Sequence, residues 1–384
     1  MRFIKILLAV FGAWALLSVA AYAQLDFSTK ARFAILMDYQ SGTVLFQKNA
    51  DKPMEPASMA KLMTLAVVFD QIALGRLTLD DEFFISETAW REGGASSGGS
   101  TMFAKLGSKI SVENLIKSVI IQSGNDASIA LAEGIAGTEG TFTLMMNDLA
   151  QQIGLTSSNF SNATGLPDPN LYTTARDLAL LARYIIKTYP QYYPIFSEPS
   201  FTWNRIKQNN RNLLLNDRIG VDGMKTGHTV SAGYGIVIST TMGGRRLIAV
   251  LHGLETMRQR AEEARKLITW GTRAFERVEA FKDGAIVGYA NVYGGEEPNV
   301  ALVAEGDLNL YLPRGGRRCL SARIVYQSPI RPPVVRGDKI AQLRVYCDER
   351  LIQSAPLFAA QSVEEGSLVR KSIDALKQLA LGWL

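Results

Sequence analysis

Residues 57–65 read ASMAKLMTL and open an apolar pattern of helical period that runs from about 58 to 74. Such a helix belongs in a core, yet its first turn carries a lysine. Burying an ammonium without partners is costly, so whatever surrounds Lys61 has to receive it. Ser58 stands three residues earlier, and on a helix the two side chains project from one face. A serine hydroxyl is a weak nucleophile until an adjacent base takes its proton. Lysine can be that base when desolvation or nearby positive charge lowers its pKa. A helix-capping serine beside a snorkelling lysine would look the same in sequence, so other residues must decide.

The 384 residues, 47% hydrophobic and 20% charged, are enough for a sizeable core in two or three domains. Residues 1–23, MRFIKILLAVFGAWALLSVAAYA, place Arg2 and Lys5 before an apolar stretch and Ala21-Tyr22-Ala23. That is the order of a secretory signal, with cleavage expected after Ala23; an uncleaved anchor is the alternative. Loss of Arg2 and Lys5 takes the formal charge from +5 to +3, and the main body holds no basic tract. Nucleic acid is therefore not an expected partner. Neither a dinucleotide fingerprint nor a P-loop occurs. The histidines, His228 and His252, and the cysteines, Cys319 and Cys347, lack ligand spacing, so no metal and no cofactor are expected. Export permits a Cys319–Cys347 disulfide, and two free thiols are equally compatible with the sequence.

The pattern between 31 and 47 reads strand, turn, strand. Helical periodicity returns at 111–121, 126–136 and 141–153, and again from Thr174, where TARD resembles a capping box with Asp177 at its fourth place. Residues 91–103 are Gly/Ser-rich and read as loop. Two strands, 233–240 and 246–253, joined through Gly243-Gly244, precede a last helix at about 256–277. Strands at both ends with helices between predict one α+β domain over 24–278. Short β-type runs separated by Gly, Pro and Asp then predict a small all-β domain over 279–363. In 364–384, Val369, Ile373, Leu376, Ala380 and Trp383 fall on one helical face, which suits an amphipathic helix lying on a membrane surface.

Two further clusters bear on Ser58 and Lys61. QSGNDAS supplies Ser123-Gly124-Asn125 at a loop-to-helix junction, and GMKTGHT supplies Lys225-Thr226-Gly227 just before a strand. The three motifs follow in order in an exported chain. S-x-x-K, S-D-N and K-T-G together mark serine β-lactamases and penicillin-binding proteins; here the middle motif is Ser-Gly-Asn.

With that variant, and with PASMAKLMT, SGNDASIALAEGIAG, NATGLPDP, TTARDLALLARYII and VDGMKTGHTVSAGYG, the sequence resembles the D-alanyl-D-alanine carboxypeptidases among the low-molecular-mass penicillin-binding proteins, nearly end to end. The resemblance implies a β-lactamase-like domain, an antiparallel sheet flanked by helices, followed by the β-domain and tail. It implies that Ser58 attacks the penultimate D-Ala carbonyl of a peptidoglycan pentapeptide ending in D-Ala-D-Ala, with Lys61 as base. Ser123 would bridge Lys61 and Lys225 and pass a proton to the leaving amine, and Asn125 would orient the donor peptide. Lys225 and Thr226 would attract the terminal carboxylate, and Gly227 would let substrate approach a strand edge. The backbone N–H groups of Ser58 and His228 would form the oxyanion hole. Arg211 and Arg260 are candidates for steering the carboxylate, and β-lactam antibiotics would be covalent inhibitors. The same likeness places the protein at the periplasmic face of the cytoplasmic membrane, peripherally attached.

A class A β-lactamase uses a glutamate to activate the deacylating water, and none occurs between Gly140 and Ser197. A D,D-endopeptidase and a catalytically idle peptidoglycan binder are the other readings. The β-domain and tail favour a carboxypeptidase over the first, and the intact serine–lysine set argues against the second. His228 has no acid placed by sequence to orient it, and Asp177 reads as a helix cap.

Overall fold

A computed structural model describes residues 27–313, 320–347, 349–372 and 374. The expected signal segment, the Cys319–Cys347 question and the tail helix beyond residue 374 lie outside the described residues. The chain groups into two compact units, one comprising Thr29–Met37 and Gln47–Thr269, the other Asp38–Phe46 with the chain from Trp270 onward. Strands β1 (Phe33–Asp38) and β2 (Val44–Lys48) flank the turn expected at Asp38–Gly42, where Gly42 takes φ +70°.

The larger unit continues with α1 (Lys61–Ala73), β3 (Glu82–Phe84), α2 (Glu87–Glu92), β4 (Lys109–Ser111), α3 (Val112–Ile121), α4 (Asn125–Ala136), α5 (Glu139–Gln152) and α6 (Ala175–Thr188). The hairpin β5 (Ser200–Trp203) and β6 (Ile206–Asn209) follows, then β7 (Val221–Thr229), β8 (Gly233–Met242), β9 (Arg245–Leu254) and α7 (Met257–Arg273). Its main sheet runs β1-β9-β8-β7. Gly243 and Gly244, at φ +63° and +76°, make the tight β8–β9 turn. Lys225-Thr226-Gly227 lie within β7 rather than ahead of the strands, paired with Val237, Ile236 and Gly235.

Helix α1 is apolar over most of its surface, and Leu62, Met63, Leu65, Ala66, Val68 and Phe69 are wholly buried, so it forms the centre of the helical layer. Its start differs from the expectation. Residues Ala57–Ala60 form a 3-10 turn and the α-helix begins only at Lys61. With three residues per 3-10 turn, Ser58 and Lys61 come closer to eclipsed than on an α-helix. Thr174 caps α6 by accepting from the Asp177 backbone N–H at 3.0 Å, as TARD suggests. The Asp177 carboxylate does not complete the box. It accepts instead from the Ser157 N–H at 3.0 Å and the Ser158 hydroxyl at 2.7 Å, because a loop packed beside the helix start needs an acceptor.

The smaller unit is all-β. Strand β10 (Phe275–Phe281) pairs with β13 (Leu308–Pro313), and β11 (Ile286–Asn291), β12 (Asn299–Val303), β16 (Arg350–Ala359), β15 (Lys339–Cys347) and β14 (Leu320–Tyr326) form an antiparallel run in that order. Val300, Leu302, Leu343, Val345 and Leu357 face one core. The Tyr311 hydroxyl donates to Asp38 at 2.5 Å, holding the β1–β2 turn within this unit.

Two positions make stability testable. Gly165 has φ +74°, and a Cβ there would lie 2.0 Å from the Ala57 carbonyl oxygen. Gly165→Ala is therefore expected to cost about 2–4 kcal/mol, read as a lowered melting temperature. His252 is 1% exposed on β9, stacked on Phe33, and burial lowers its pKa to about 4. The unfolded chain then takes up this proton first as pH falls. Its contribution is complete above about pH 6.5 and lost toward pH 4, about 3 kcal/mol in all. Denaturant titrations of wild type and His252→Leu at pH 7 and pH 4 should show that acid loss in the wild type alone.

Candidate active site

The 3-10 turn, the start of α4 and strand β7 bring the three sequence motifs together. Ser58, Ser123, Arg211, Thr226, Gly227, His228 and Arg260 line a cavity of about 540 Å³. Lys61 and Lys225 are 0% and 1% exposed beneath it. Gly227 fits because a Cβ there would press on Ala57, Pro56 and Met59 at 3.0–3.2 Å.

Lys61 Nζ donates to Asn125 Oδ1 at 2.7 Å and to the Thr164 carbonyl, and lies 3.1 Å from Ser58 Oγ. Burial first, then the Arg211 charge, lowers its pKa to about 7. A neutral amine has two N–H bonds and one lone pair. Asn125 Oδ1 and the Thr164 carbonyl can only accept, so they take both hydrogens. The lone pair is left for the Ser58 hydroxyl. Lys225 donates to its neighbour's carbonyl, Thr226 O, at 3.2 Å. Burial first, then Lys61, Arg211 and Arg260, push its pKa well below the usual lysine value.

Ser123 sits at φ +68° with its hydroxyl buried. Among the described residues that hydroxyl has no hydrogen-bond partner, so the expected bridge between Lys61 and Lys225 is not formed in this geometry. Arg211 and Arg260 meet at the cavity, where an Arg260 N–H donates to the Arg211 carbonyl at 3.3 Å. Burial lowers both guanidinium pKa values, that of Arg260 to about 10. The exposed His228 ring stacks on Tyr234 at 3.9 Å, and Arg260 covers the same tyrosine at 5.7 Å. Burial and the Arg260 charge lower the imidazole pKa.

Sequence reasoning missed the supports beneath these residues. The NATG stretch presents the Thr164 carbonyl because Asn162 Oδ1 accepts from the Thr164 N–H, the Thr164 hydroxyl and the Gly165 N–H at 2.7–3.1 Å. Thr64 Oγ1 donates to the Ala163 carbonyl, and the Ala163 N–H donates to Glu139, each at 2.8 Å. An Asn followed by Gly three residues on is a turn signal that was available. Asp126, 0% exposed, accepts from the Thr101 hydroxyl at 2.6 Å and from the Met102 and Ala104 N–H groups at 3.0–3.1 Å. It ties the Gly/Ser-rich segment to the helix that starts with Asn125.

What the arrangement offers is a serine hydroxyl facing a lysine lone pair, beside an open strand edge and a group of buried cations. That is a site for acyl transfer from an anionic substrate. The profile of the D-alanyl-D-alanine carboxypeptidase family matches residues 19–256, and that of the penicillin-binding protein 5 C-terminal domain matches 275–365. The chain is 42% identical to the D-alanyl-D-alanine carboxypeptidase DacC of Escherichia coli K12, over 88% of its own length and 86% of that protein. The solved penicillin-binding protein 5 of Haemophilus influenzae is 39% identical, with a TM-score of 0.71, covering 88% of this chain and 99% of that one. A D-alanyl-D-alanine endopeptidase of Pseudomonas aeruginosa is 31% identical over only 54% of this chain. By its matched extent, its fold and its motifs, the chain belongs to the peptidase S11 family of D-alanyl-D-alanine carboxypeptidases.

Proposed function

We propose that this protein is a serine D,D-carboxypeptidase that removes the terminal D-Ala from peptidoglycan stems ending in D-Ala-D-Ala, and that penicillins acylate it. The observation that carries the reading is the Lys61 amine, buried with a pKa of about 7 and 3.1 Å from Ser58 Oγ. Lys61 takes the Ser58 proton as the hydroxyl oxygen attacks the penultimate D-Ala carbonyl. The backbone N–H groups of Ser58 and His228 receive the developing oxyanion. Collapse of the tetrahedral intermediate breaks the peptide bond, and the leaving amine collects the proton that Lys61 took from Ser58. The Ser123 hydroxyl, unbonded among the described residues in this geometry, passes that proton on once it turns to bridge the two. Water then hydrolyses the acyl-enzyme. Asn125 keeps Lys61 aligned through Oδ1 and has its amide group left for the donor peptide.

Lys225, Thr226, Arg211 and Arg260 hold the substrate carboxylate. The Arg211 and Arg260 charges lower the Lys225 pKa and Arg211 lowers that of Arg260, which supports this role, since a bound anion relieves that repulsion. Gly227 leaves room for the peptide to lie along β7 as an added strand. Cleavage after Ala23 and surface attachment through the tail would put this chemistry on the periplasmic face of the membrane. Among the described residues no helix is long and apolar enough to cross a membrane.

Ser58→Ala should release no free D-Ala from a D-Ala-D-Ala peptide and show no covalent penicillin adduct by mass spectrometry. Penicillin adduct without D-Ala release by the wild type would favour the idle binder. The pH dependence follows from the lowered lysine pKa: the reactive neutral amine accumulates as pH rises through about 7. The kcat/KM for D-Ala release should therefore climb about tenfold per unit below that pH and level off above it. Lys61→Arg keeps a cation but removes the base, and should slow penicillin acylation by at least about a thousandfold.

A further inference from the structure

A second cavity, of about 900 Å³, opens at the end of the main sheet and shares His228 and Tyr234 with the first. Its other walls include Lys30 and Arg32 from the segment leading into β1, Val230 from the turn after β7, and Glu255 from the end of β9. The His228–Tyr234 stack is thus the wall that the two cavities have in common. The direction of a bound peptide follows from the reading above. With the carboxylate end at Thr226 and Arg211, the upstream residues leave along β7 past His228 toward Val230, which is 98% exposed. An extended chain advances about 3.3 Å per residue. The residue two positions before the penultimate D-Ala therefore lies about 7 Å along this path, over the second cavity.

The charges there are specific. Arg32 is committed, donating to the Ala232 carbonyl at 2.7 Å and lying over the Phe33 ring. Among the described residues the Lys30 ammonium makes no hydrogen bond; Glu262 on α7 feels its charge, but Arg258 already holds that carboxylate at 2.7 Å. Glu255 is the carboxylate in the lining, and Glu55 nearby is taken by the Ser231 hydroxyl at 2.6 Å. The lining thus carries two positive charges, Lys30 and Arg32, against the one carboxylate of Glu255, a net of one positive charge, with the guanidinium fixed and the ammonium unbonded among the described residues.

We propose that this cavity is a subsite for the acyl-donor peptide upstream of the scissile bond, in which Lys30, backed by Arg32, binds a carboxylate side chain of that peptide. The subsite rests on the carboxypeptidase reading and adds a specificity to it. Its action is on substrate preference: a charge-assisted contact at a half-open site favours an acidic residue about fivefold over its amide, chiefly through KM.

The test compares synthetic X-Lys-D-Ala-D-Ala peptides with N-acetylated X as Glu or Gln, on the full chain. Wild type is expected to show the Glu peptide ahead by about fivefold in kcat/KM at low salt, the advantage shrinking as salt rises. Lys30→Glu should reverse the preference and Lys30→Gln should bring the ratio to one. Equal use of both peptides by the wild type, or an unchanged ratio in Lys30→Glu, overturns the subsite. Release of D-Ala from both peptides at equal rates leaves the carboxypeptidase reading standing without it; no release from either removes both.

Discussion

The contact between a buried lysine and the serine one turn before it is what the larger unit is organised to hold. An ammonium at 0% exposure would be ruinous without partners. Its acceptors, however, come from segments 64 and 103 residues away in sequence. Each has its own foundation. Asn125 is set by the buried Asp126 beside it, whose carboxylate gathers the 101–104 segment. The Thr164 carbonyl is set by the Asn162 turn, and Gly165 lets that turn come down onto Ala57, the residue before the serine. The supports therefore close a ring: the loop that receives Lys61 also presses on the turn that carries Ser58.

The same unit accepts a second unfavourable feature, the accumulation of positive charge at Lys61, Lys225, Arg211 and Arg260. Burial lowers all four pKa values, and through space Arg211 lowers those of Lys61, Lys225 and Arg260, while Lys61 and Arg260 lower that of Lys225. Such a cluster is destabilising in a free protein and favourable once an anion enters, so part of the folding cost reappears as binding energy. Arg260, 5% exposed, lies over the Tyr234 ring that His228 also stacks on.

Much of the fold was readable because it is periodic. The apolar pattern after Ser58, the helices near 111, 126, 141 and 174, and the glycine turn between β8 and β9 all follow local rules that need no partner. The candidate site was legible for another reason: Ser58, Lys61, Ser123, Asn125 and Lys225 belong to short motifs, and the structure brings those motifs together. What escaped was tertiary. MKTGHT has little strand character, yet it lies in β7 because β8 supplies a ladder for it. Asp177 looked like half of a capping box, but a loop from the preceding segment claimed its carboxylate. Thr164 acts through a backbone carbonyl, and no side-chain pattern marks which carbonyl will face a distant lysine. The Ser123 hydroxyl is in the right region without the bonds expected of it.

Lys61 and Lys225 show why burial alone does not assign a role. Both are lysines next to residues that line one cavity, both are fully buried, and both have lowered pKa values. They differ in what accepts their hydrogens. Lys225 has the carbonyl of its own neighbour, which leaves its remaining hydrogens to meet an incoming anion. Lys61 faces two groups that can only accept, and a third, the Ser58 hydroxyl, that can donate. As soon as it is neutral, its one arrangement that leaves no oxygen unmatched has the lone pair on the serine. In the proposed mechanism the base is thus selected by its acceptors. The lowered pKa makes the neutral form available, and the Asn125 amide and Thr164 carbonyl decide where its reactivity points.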